Sequence, residues 1–286
     1  MKKLRTSASF SLHGFPKTDF YEYVKNGLNF YKETGFDAVD FGTGMLDLSS
    51  DESRAQAELA VKAMEEVGIR FEVSHLPFLA SLAKTDEALE VFNEKMYRAI
   101  DAVKIVGADY AVAHPYAVTM AAKHYSRKAQ YEQVVENLAP FVEYANRIGV
   151  NIVVENMRIK PSFYEAHRYC QFPDELCEVA DALGIGVCWD FGHANVSGVK
   201  QSEGLAYVGK RLKVLHVNDN NAFEDDHIFP FTGTVDWKDA MHGLALAEYD
   251  GLFNYELAVG KHPFTMRKEL ASYLLTVANE LMNYIE

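Results

Sequence analysis

The sequence predicts a (β/α)8 barrel, a TIM barrel, that forms one domain over residues 1–286. Short apolar runs alternate with longer stretches of helical periodicity, which is the pattern of a parallel α/β fold. Eight such runs divide the chain into units of about 36 residues, the length that one strand, one helix and two connections need. A doubly wound sheet is the alternative architecture. The dinucleotide-binding form of that fold is disfavoured, because no G-x-G-x-x-G phosphate-binding segment follows the first run.

The eight apolar runs are the predicted strands, in chain order at residues 7–12, 36–41, 69–75, 110–114, 150–155, 185–190, 212–217 and 253–257. The segments between them predict helices. In residues 86–105 apolar side chains recur every three or four positions and form one buried face, and residues 131–148 are read in the same way. A glycine stands between helix and strand in five units, where a left-handed C-cap favours it: Gly35, Gly68, Gly107, Gly149 and Gly184.

Acidic side chains outnumber basic ones, since 41 Asp and Glu against 28 Lys and Arg give a formal net charge of −13. Proteins that coat duplex nucleic acid need clustered Lys and Arg, so nucleic acid is not an expected partner. No stretch approaches the roughly 20 uninterrupted apolar residues that span a bilayer. The basic first five residues lead into Ser, His and Gly rather than an apolar signal core. We therefore expect a cytoplasmic protein with no membrane partner.

The cysteines indicate a reducing compartment. Cys170, Cys177 and Cys188 are odd in number and form no C-x-x-C pair. Buried free thiols explain this pattern better than a disulfide framework does. A catalytic thiol is the less favoured alternative.

Side chains able to bind a metal stand at the carboxyl ends of six consecutive predicted strands. In a parallel barrel these ends converge on one mouth, where active sites lie. A single His or Glu at a strand end is more often structural than a ligand. Six in register favour a divalent ion, because buried carboxylates at close quarters need a cation to stay ionised. The six residues are His75, His114, Glu155, Asp190, His216 and Glu256.

Loops beyond the strands add further candidates. His193 follows Asp190 by three residues, and Asp225 and His227 come after the seventh strand. The Asp225–His227 segment is weak evidence by itself, because acidic loop runs are usually solvated. His13, after the first strand, is a candidate to reach the mouth. The remaining histidines are expected at the surface, namely His124, His167, His242 and His262.

Two cations and three aromatic residues lie near the predicted mouth. Arg158 and Lys160, just beyond the fifth strand, could bind a phosphate or carboxylate group of a substrate. A surface or subunit-contact role is the alternative for both. Phe15, Phe78 and Tyr116 are expected to wall the mouth and exclude water, although aromatic residues at loop bases are as often plain packing.

Five segments carry a family resemblance that covers nearly the whole chain. They are SHLPF at 74–78, VVEN at 153–156, GVCWDFGHA at 186–194, LHVND at 215–219 and the stretch 227–237. With them the chain resembles the xylose isomerase-like TIM barrel superfamily. That superfamily holds sugar isomerases and epimerases, inosose dehydratases and the endonuclease IV repair nucleases. The D-x-x-H-A and L-H-x-N-D patterns are specific for the superfamily but not for one activity.

Resemblance to the sugar isomerase and epimerase branch implies one divalent metal held by Glu155, Asp190, His216 and Glu256. It also implies that Glu155 and Glu256 flank the substrate as acid and base. The expected reaction is isomerisation or epimerisation of a sugar or sugar phosphate by proton abstraction next to a metal-chelated carbonyl. Three carboxylates and one imidazole suit Mn²⁺ or Mg²⁺, while Zn²⁺ and Co²⁺ are not excluded.

The same resemblance implies that His193 contacts a sugar oxygen, and His75, His114 and Arg158 are further candidates for substrate binding. The expected ligand is a small sugar or polyol, and a homo-oligomer is compatible with the sequence. Ketose epimerases typically place an Arg in the loop after the seventh strand. Residues 217–226 of this chain contain no Arg or Lys, so the identity of the sugar stays open.

Two alternative functions come from the same superfamily. The chain matches all nine positions of the three-zinc site of endonuclease IV, a phosphodiesterase: His75, His114, Glu155, Asp190, His193, His216, Asp225, His227 and Glu256. It departs from that branch in having HPY after the fourth strand and ENMR after the fifth, and its negative charge disfavours DNA. An inosose-type dehydratase is the other alternative, because loss of water also begins with proton abstraction next to a metal-bound carbonyl.

Overall fold

A computed structural model describes residues 4–16, 19–78, 85–116, 120–121, 125–159, 166–258 and 262–285. Eight parallel strands form the predicted TIM barrel. They are β1 Arg5–Ala8, β2 Val39–Gly42, β3 Phe71–His75, β4 Tyr110–Ala113, β5 Ile152–Glu155, β6 Gly186–Asp190, β7 Leu212–His216 and β8 Leu252–Tyr255. Strands β2 to β7 hydrogen-bond to one another in chain order, and β1 pairs with β8. Isolated parallel bridges, Ser9 with Asp40 and Val217 with Tyr255, join these two sheets at both seams.

The helices alternate with the strands as the apolar periodicity predicts. They are α1 Phe20–Thr34, α2 Glu52–Val67, α3 Asp86–Val106, α4 Arg127–Ile148, α5 Pro173–Leu183, α6 Phe191–Val196, α7 Gln201–Val208, α8 Trp237–Leu246 and α9 Arg267–Met282. Helix α4 begins four residues before the predicted segment, because the Ser126 side chain accepts a hydrogen bond from the Ala129 N–H and caps it there. The five predicted C-cap glycines all have positive φ. A short antiparallel ribbon, Met120–Ala121 with Ala166–His167, lies outside the predicted elements.

The first and last strands are shorter than predicted. Strand β1 ends at Ala8, and residues Phe10–His13 form a 3-10 helix instead of continuing the predicted strand to residue 12. The apolar side chains of this segment serve helix packing, since the Phe10 ring contacts the rings of Tyr23 and Tyr31 in α1. Strand β8 ends at Tyr255 rather than at residue 257.

The barrel interior has an apolar layer covered by a polar one. One residue from each of seven strands or their approaches packs into a buried interior cluster: Ala38, Val73, Val112, Val153, Cys188, Val214 and Leu252. Side chains alternate along a strand, so the residue two positions later faces the same interior. Those residues are Asp40, His75, His114, Glu155, Asp190, His216 and Asn254. The apolar layer thus closes the barrel beneath a floor of polar groups.

The three cysteines are free and buried, as predicted, and burial raises the pKa of Cys177 to about 11. Of the helices that the structure describes, none has the length and apolar character needed to cross a membrane.

Candidate functional site

Four of the predicted ligands meet at the barrel mouth. The side-chain donor atoms of Glu155, Asp190, His216 and Glu256 lie within 4.8 Å of one another. Both glutamates approach the same nitrogen of the His216 imidazole, because its Nδ1 is 3.1 Å from Glu155 Oε1 and 3.1 Å from Glu256 Oε2. Glu155, Asp190 and His216 are buried, whereas the Glu256 side chain is 26% exposed. Glu256 is therefore the member of this four-residue group that faces the open side.

Two asparagine side chains hold Asp190 in place, one through its carboxylate and one through its backbone. Asn218 Nδ2 donates to Asp190 Oδ2 at 2.7 Å, and the His193 N–H donates to Asp190 Oδ1 at 2.6 Å at the start of α6. Asn156 bridges β5 and β6, since its Oδ1 accepts from the Asp190 N–H at 2.6 Å and its Nδ2 donates to the Asp190 carbonyl at 3.0 Å. Sequence reasoning missed both asparagines. Their proximity to predicted ligands, Asn156 after Glu155 and Asn218 two positions after His216, was the available signal.

The electrostatics of the four-residue group fit a divalent cation. Burial alone would raise the pKa of Glu155, but the nearby His216 and His114 rings outweigh it and hold that pKa well below its ordinary value. At Asp190, by contrast, burial dominates and raises the pKa. Three carboxylates and one imidazole make an oxygen-rich donor set, which is suited to a hard divalent ion.

Two further groups of potential ligands adjoin the first. His75, His114 and Glu155 form one, with the two imidazole Nε2 atoms 3.6 Å and 3.1 Å from Glu155 Oε2. The other is formed by His193, Asp225 and His227. All nine residues predicted from the strand ends and loops therefore fall into three neighbouring clusters.

Asp225 connects its two histidines and an arginine. Its Oδ2 lies 3.4 Å from His193 Nε2, and its Oδ1 lies 3.2 Å from His227 Nε2. Burial raises the pKa of Asp225, but hydrogen bonds from the two histidines lower it far more. In turn, Asp225 raises the pKa of His227 to about 9, although burial opposes this. The Arg158 guanidinium also lies here, with Nε 2.8 Å from Asp225 Oδ2.

The remaining candidates occupy different environments. His13 is wholly buried, packs against Phe10 and Phe15, and accepts a hydrogen bond from the Phe15 N–H at 2.8 Å. It is thus part of the packing beneath α1. His242 is exposed and His262 is half-buried. Lys160, His124 and the side chain of His167 lie outside the described residues.

A cavity of about 630 Å³ opens beside the four-residue group. His75 and Glu256 form part of its wall, and Phe78 closes one side. The Phe78 ring packs on the imidazoles of His75 and His114, with centroid distances of 5.3 Å and 5.1 Å. Of the other two aromatic residues expected at the mouth, Phe15 packs against Phe264 and Tyr116 packs against Phe92.

One residue close to the predicted ligands was not recognised from the sequence. The Sγ atom of Cys188 lies within 4.8 Å of donor atoms of Glu155 and His216. Cys188 precedes Asp190 by two positions in β6, so alternation along the strand places both inside the barrel. Burial raises the pKa of this thiol.

Comparisons with known proteins agree with the architecture. Fructoselysine 3-epimerase of Shigella flexneri is 23% identical over 244 residues, which cover 79% of this chain and 82% of that protein. The probable endonuclease 4 of Staphylococcus carnosus is 26% identical over 189 residues, 59% of this chain and 60% of that protein. The structure of L-ribulose 3-epimerase superposes with a TM-score of 0.75 at 14% identity, covering 98% and 95% of the two chains. A family model for the xylose isomerase-like TIM barrel matches residues 28–276, and the chain belongs to that family.

Proposed function

We propose that this protein is a divalent-metal-dependent isomerase or epimerase of a sugar or sugar phosphate. The observation that carries the proposal is that the carboxylates of Glu155 and Glu256 converge on the His216 imidazole, each 3.1 Å from its Nδ1. Two carboxylates this close together at the barrel mouth can act as a proton acceptor and a proton donor. The similarity to fructoselysine 3-epimerase supports the same class of reaction.

Glu155, Asp190, His216 and Glu256 would hold the metal, because their donor atoms lie within 4.8 Å of one another. Three carboxylates and one imidazole favour Mn²⁺ or Mg²⁺, with Zn²⁺ and Co²⁺ as further candidates. A cation bound there would polarise a substrate carbonyl and make the adjacent C–H bond more acidic.

The protein side chains would move and hold the protons. Glu256 faces the cavity and its carboxylate is partly exposed, so it can exchange a proton with solvent. Glu155 is buried at the barrel mouth, and its carboxylate would accept a proton from bound substrate. His193 Nδ1 lies 2.7 Å from the Asn156 carbonyl, which fixes the orientation of the ring. Phe78 shields the histidine side of the mouth from water.

Solvent isotope exchange tests this proposal. The metal-loaded enzyme is incubated in deuterated water with a panel of ketoses, aldoses, their phosphates and a keto-inositol. A sugar isomerase or epimerase places deuterium on a carbon next to the carbonyl, and mass spectrometry with NMR locates it. Loss of water from the keto-inositol without sugar exchange would indicate the dehydratase instead. Absence of exchange across the panel in protein with verified metal would contradict the proposal.

A zinc phosphodiesterase is the second candidate, and one observation favours it. The nine residues of the three clusters could hold more than one ion, and part of the chain is similar to a probable endonuclease 4. The formal net charge of −13 weakens attraction to a DNA backbone. Elemental analysis distinguishes the two functions: one ion per chain favours the sugar reaction, whereas three zinc ions with cleavage of an abasic-site oligonucleotide favour the phosphodiesterase.

A further inference from the structure

The cavity beside the mouth contains a buried carboxylate that the proposed reaction does not use. Asp40 lines the cavity from β2 and is only 3% exposed. Its Oδ2 accepts a hydrogen bond from Asn254 Nδ2 at 2.9 Å, and Asn254 Oδ1 accepts one from Ser7 Oγ at 2.5 Å. Asp40 Oδ1 has no partner, although it is buried. A fixed carboxylate with one free acceptor oxygen on a cavity wall is suited to bind a ligand hydroxyl.

A lysine lines the same cavity. Lys95 lies on α3, one turn after Phe92, and both residues contribute to the wall. The Lys95 side chain is half-buried, and no carboxylate in the part of the chain that the structure describes is ion-paired with it. The rest of the lining near Lys95 is largely apolar, with Met45, Leu48 and Phe92. An ammonium in such surroundings attracts an anionic group more strongly than one in open solvent does.

The arginine that the sequence offers as an anion-binding candidate already has an ionic partner. Arg158, the sequence candidate for binding a substrate phosphate or carboxylate, is 2.8 Å from Asp225. Lys95 therefore offers a positive charge on the cavity wall to a ligand, whereas Arg158 is ion-paired with Asp225. In a protein with a formal net charge of −13, a local unpaired cation offsets the repulsion of an anionic ligand.

We propose that this cavity binds a sugar that carries an anionic group, a carboxylate or a phosphate, with Lys95 pairing with that group and Asp40 accepting a hydrogen bond from a chain hydroxyl. The inference rests on the proposed function, because His75 and Glu256 link the cavity to the metal ligands. A volume of about 630 Å³ leaves room for a substituted sugar rather than only a small aldose.

The test compares three ligands of one carbon skeleton: D-fructose, D-fructose 6-phosphate and D-fructuronate. Calorimetry with Mn²⁺-loaded protein gives their dissociation constants, and isotope exchange is measured separately. We expect at least one charged form to bind ten-fold or more tightly than D-fructose, and the stronger of the two identifies the anionic group. Lys95→Met should abolish that preference. Lys128→Met, which removes an 83%-exposed lysine on α4, is the matched control and should leave it intact.

Asp40 is tested with the same ligands through the near-isosteric Asp40→Asn. We expect its affinity for the charged and uncharged ligands to fall by a similar factor of about ten, since all three share the chain hydroxyls. Its melting temperature distinguishes loss of a ligand contact from loss of the fold, and should stay close to that of the wild type.

Equal binding of the three ligands, a charge preference that persists in Lys95→Met, or no binding at all would overturn the inference. If Asp40→Asn binds all three ligands with unchanged affinity, Asp40 does not accept the proposed hydrogen bond. Isotope exchange on an uncharged sugar with no charge preference would leave the proposed reaction standing while removing this inference. A charge preference without exchange on any sugar would contradict the proposed reaction but leave the anion-binding role of Lys95 standing.

Discussion

The Arg158 guanidinium is ion-paired with Asp225, at 2.8 Å between Nε and Oδ2. Both side chains are largely buried, with 17% and 18% of their surfaces exposed. The pair connects the segment after β5 with the loop after β7, and through Asp225 it reaches His193 and His227. Arg158 therefore contacts the carboxylate that connects the two histidines.

Arg158→Gln should lower kcat/KM by about ten-fold to the same degree for charged and uncharged sugars, because the lost contact orients Asp225 rather than substrate. Steady-state kinetics on a sugar and its phosphate measure this. Arg127→Gln, which breaks surface pairs with Asp174 and Glu178, is the control and should change neither value. A loss confined to the phosphorylated sugar would show that Arg158 binds the anion after all.

Replacing either proposed acid/base residue should reduce turnover. We expect Glu155→Gln and Glu256→Gln to slow isotope exchange by about 100-fold or more, since a positioned general acid or base contributes on that scale. The rate of deuterium incorporation is compared at equal metal content. Glu203→Gln, at a side chain that is 75% exposed, serves as the control. Exchange that stays within a few-fold of wild type in both variants would exclude the assignment.

Metal binding and stability should change together. Saturation at 100 times the dissociation constant adds about 2.7 kcal/mol to the free energy of unfolding when the ion binds only the folded state. Thermal melts with Mn²⁺ and with EDTA should show this difference in the wild type. Asp190→Ala and His216→Ala should reduce both metal content and the difference. If elemental analysis finds unchanged metal in both variants, these residues are not the ligands.

A buried carboxylate organises the loop that leads to α8. Asp219 accepts hydrogen bonds from the N–H groups of Phe231, Gly233 and Val235 and from the indole of Trp237. Asp219→Ala should lower the free energy of unfolding by about 3 kcal/mol or more, since several buried donors lose their acceptor. Urea denaturation measures the change, and a loss below about 1 kcal/mol would contradict this account.

The same loop leaves no space for a side chain at Gly233. A Cβ there would lie 2.3 Å from Asp219 Oδ1 and 2.4 Å from the Asn220 carbonyl oxygen. Gly233→Ala should therefore be destabilising by more than about 2 kcal/mol. Gly44→Ala is the matched control, because a Cβ at Gly44 meets no atom within 4 Å. Similar unfolding free energies for the two variants would exclude the steric explanation.

His13 should make the fold sensitive to acid. Burial, assisted by the charge of Arg267, lowers its pKa from 6.5 to about 4. Below pH 6.5 the unfolded chain binds a proton that the folded chain does not, so stability falls as the pH drops toward 4. The contribution reaches about 3 kcal/mol. His13→Asn should show a shallower decline in unfolding free energy over this range, and an unchanged slope would assign the acid sensitivity to other groups.

The strand-end residues could be predicted from the sequence because their position depends on topology alone. In a parallel barrel His75, Glu155, Asp190 and His216 must meet wherever the loops run, and each is the last residue of its strand. Loop contacts have no such constraint. The approach of Asp225 to Arg158 depends on two loop paths that no periodicity encodes.

Two features could not be predicted from the sequence because of where they lie in or after a strand: the cavity carboxylate of Asp40 and the early end of β1. Asp40 lies inside β2 rather than at its end, and its apolar neighbours make the segment resemble an ordinary buried strand. The early end of β1 was also hidden, because the 3-10 helix that follows continues the apolar sequence with Phe10 and Leu12. Apolar runs indicate burial, but they do not distinguish a barrel strand from a packed turn.

The contact between β1 and β8 has a consequence for synthesis of the protein on the ribosome. Ser7 and Asn254, hydrogen-bonded across this seam, are 247 positions apart. The arc from β2 to β7 can assemble unit by unit as the chain emerges, while the seam between β1 and β8 has to wait for a strand that is translated near the end. Glu256 follows β8 directly, so the second proposed acid/base group arrives with the strand that closes the barrel. A nascent chain therefore acquires its full set of proposed metal ligands only when its barrel can close.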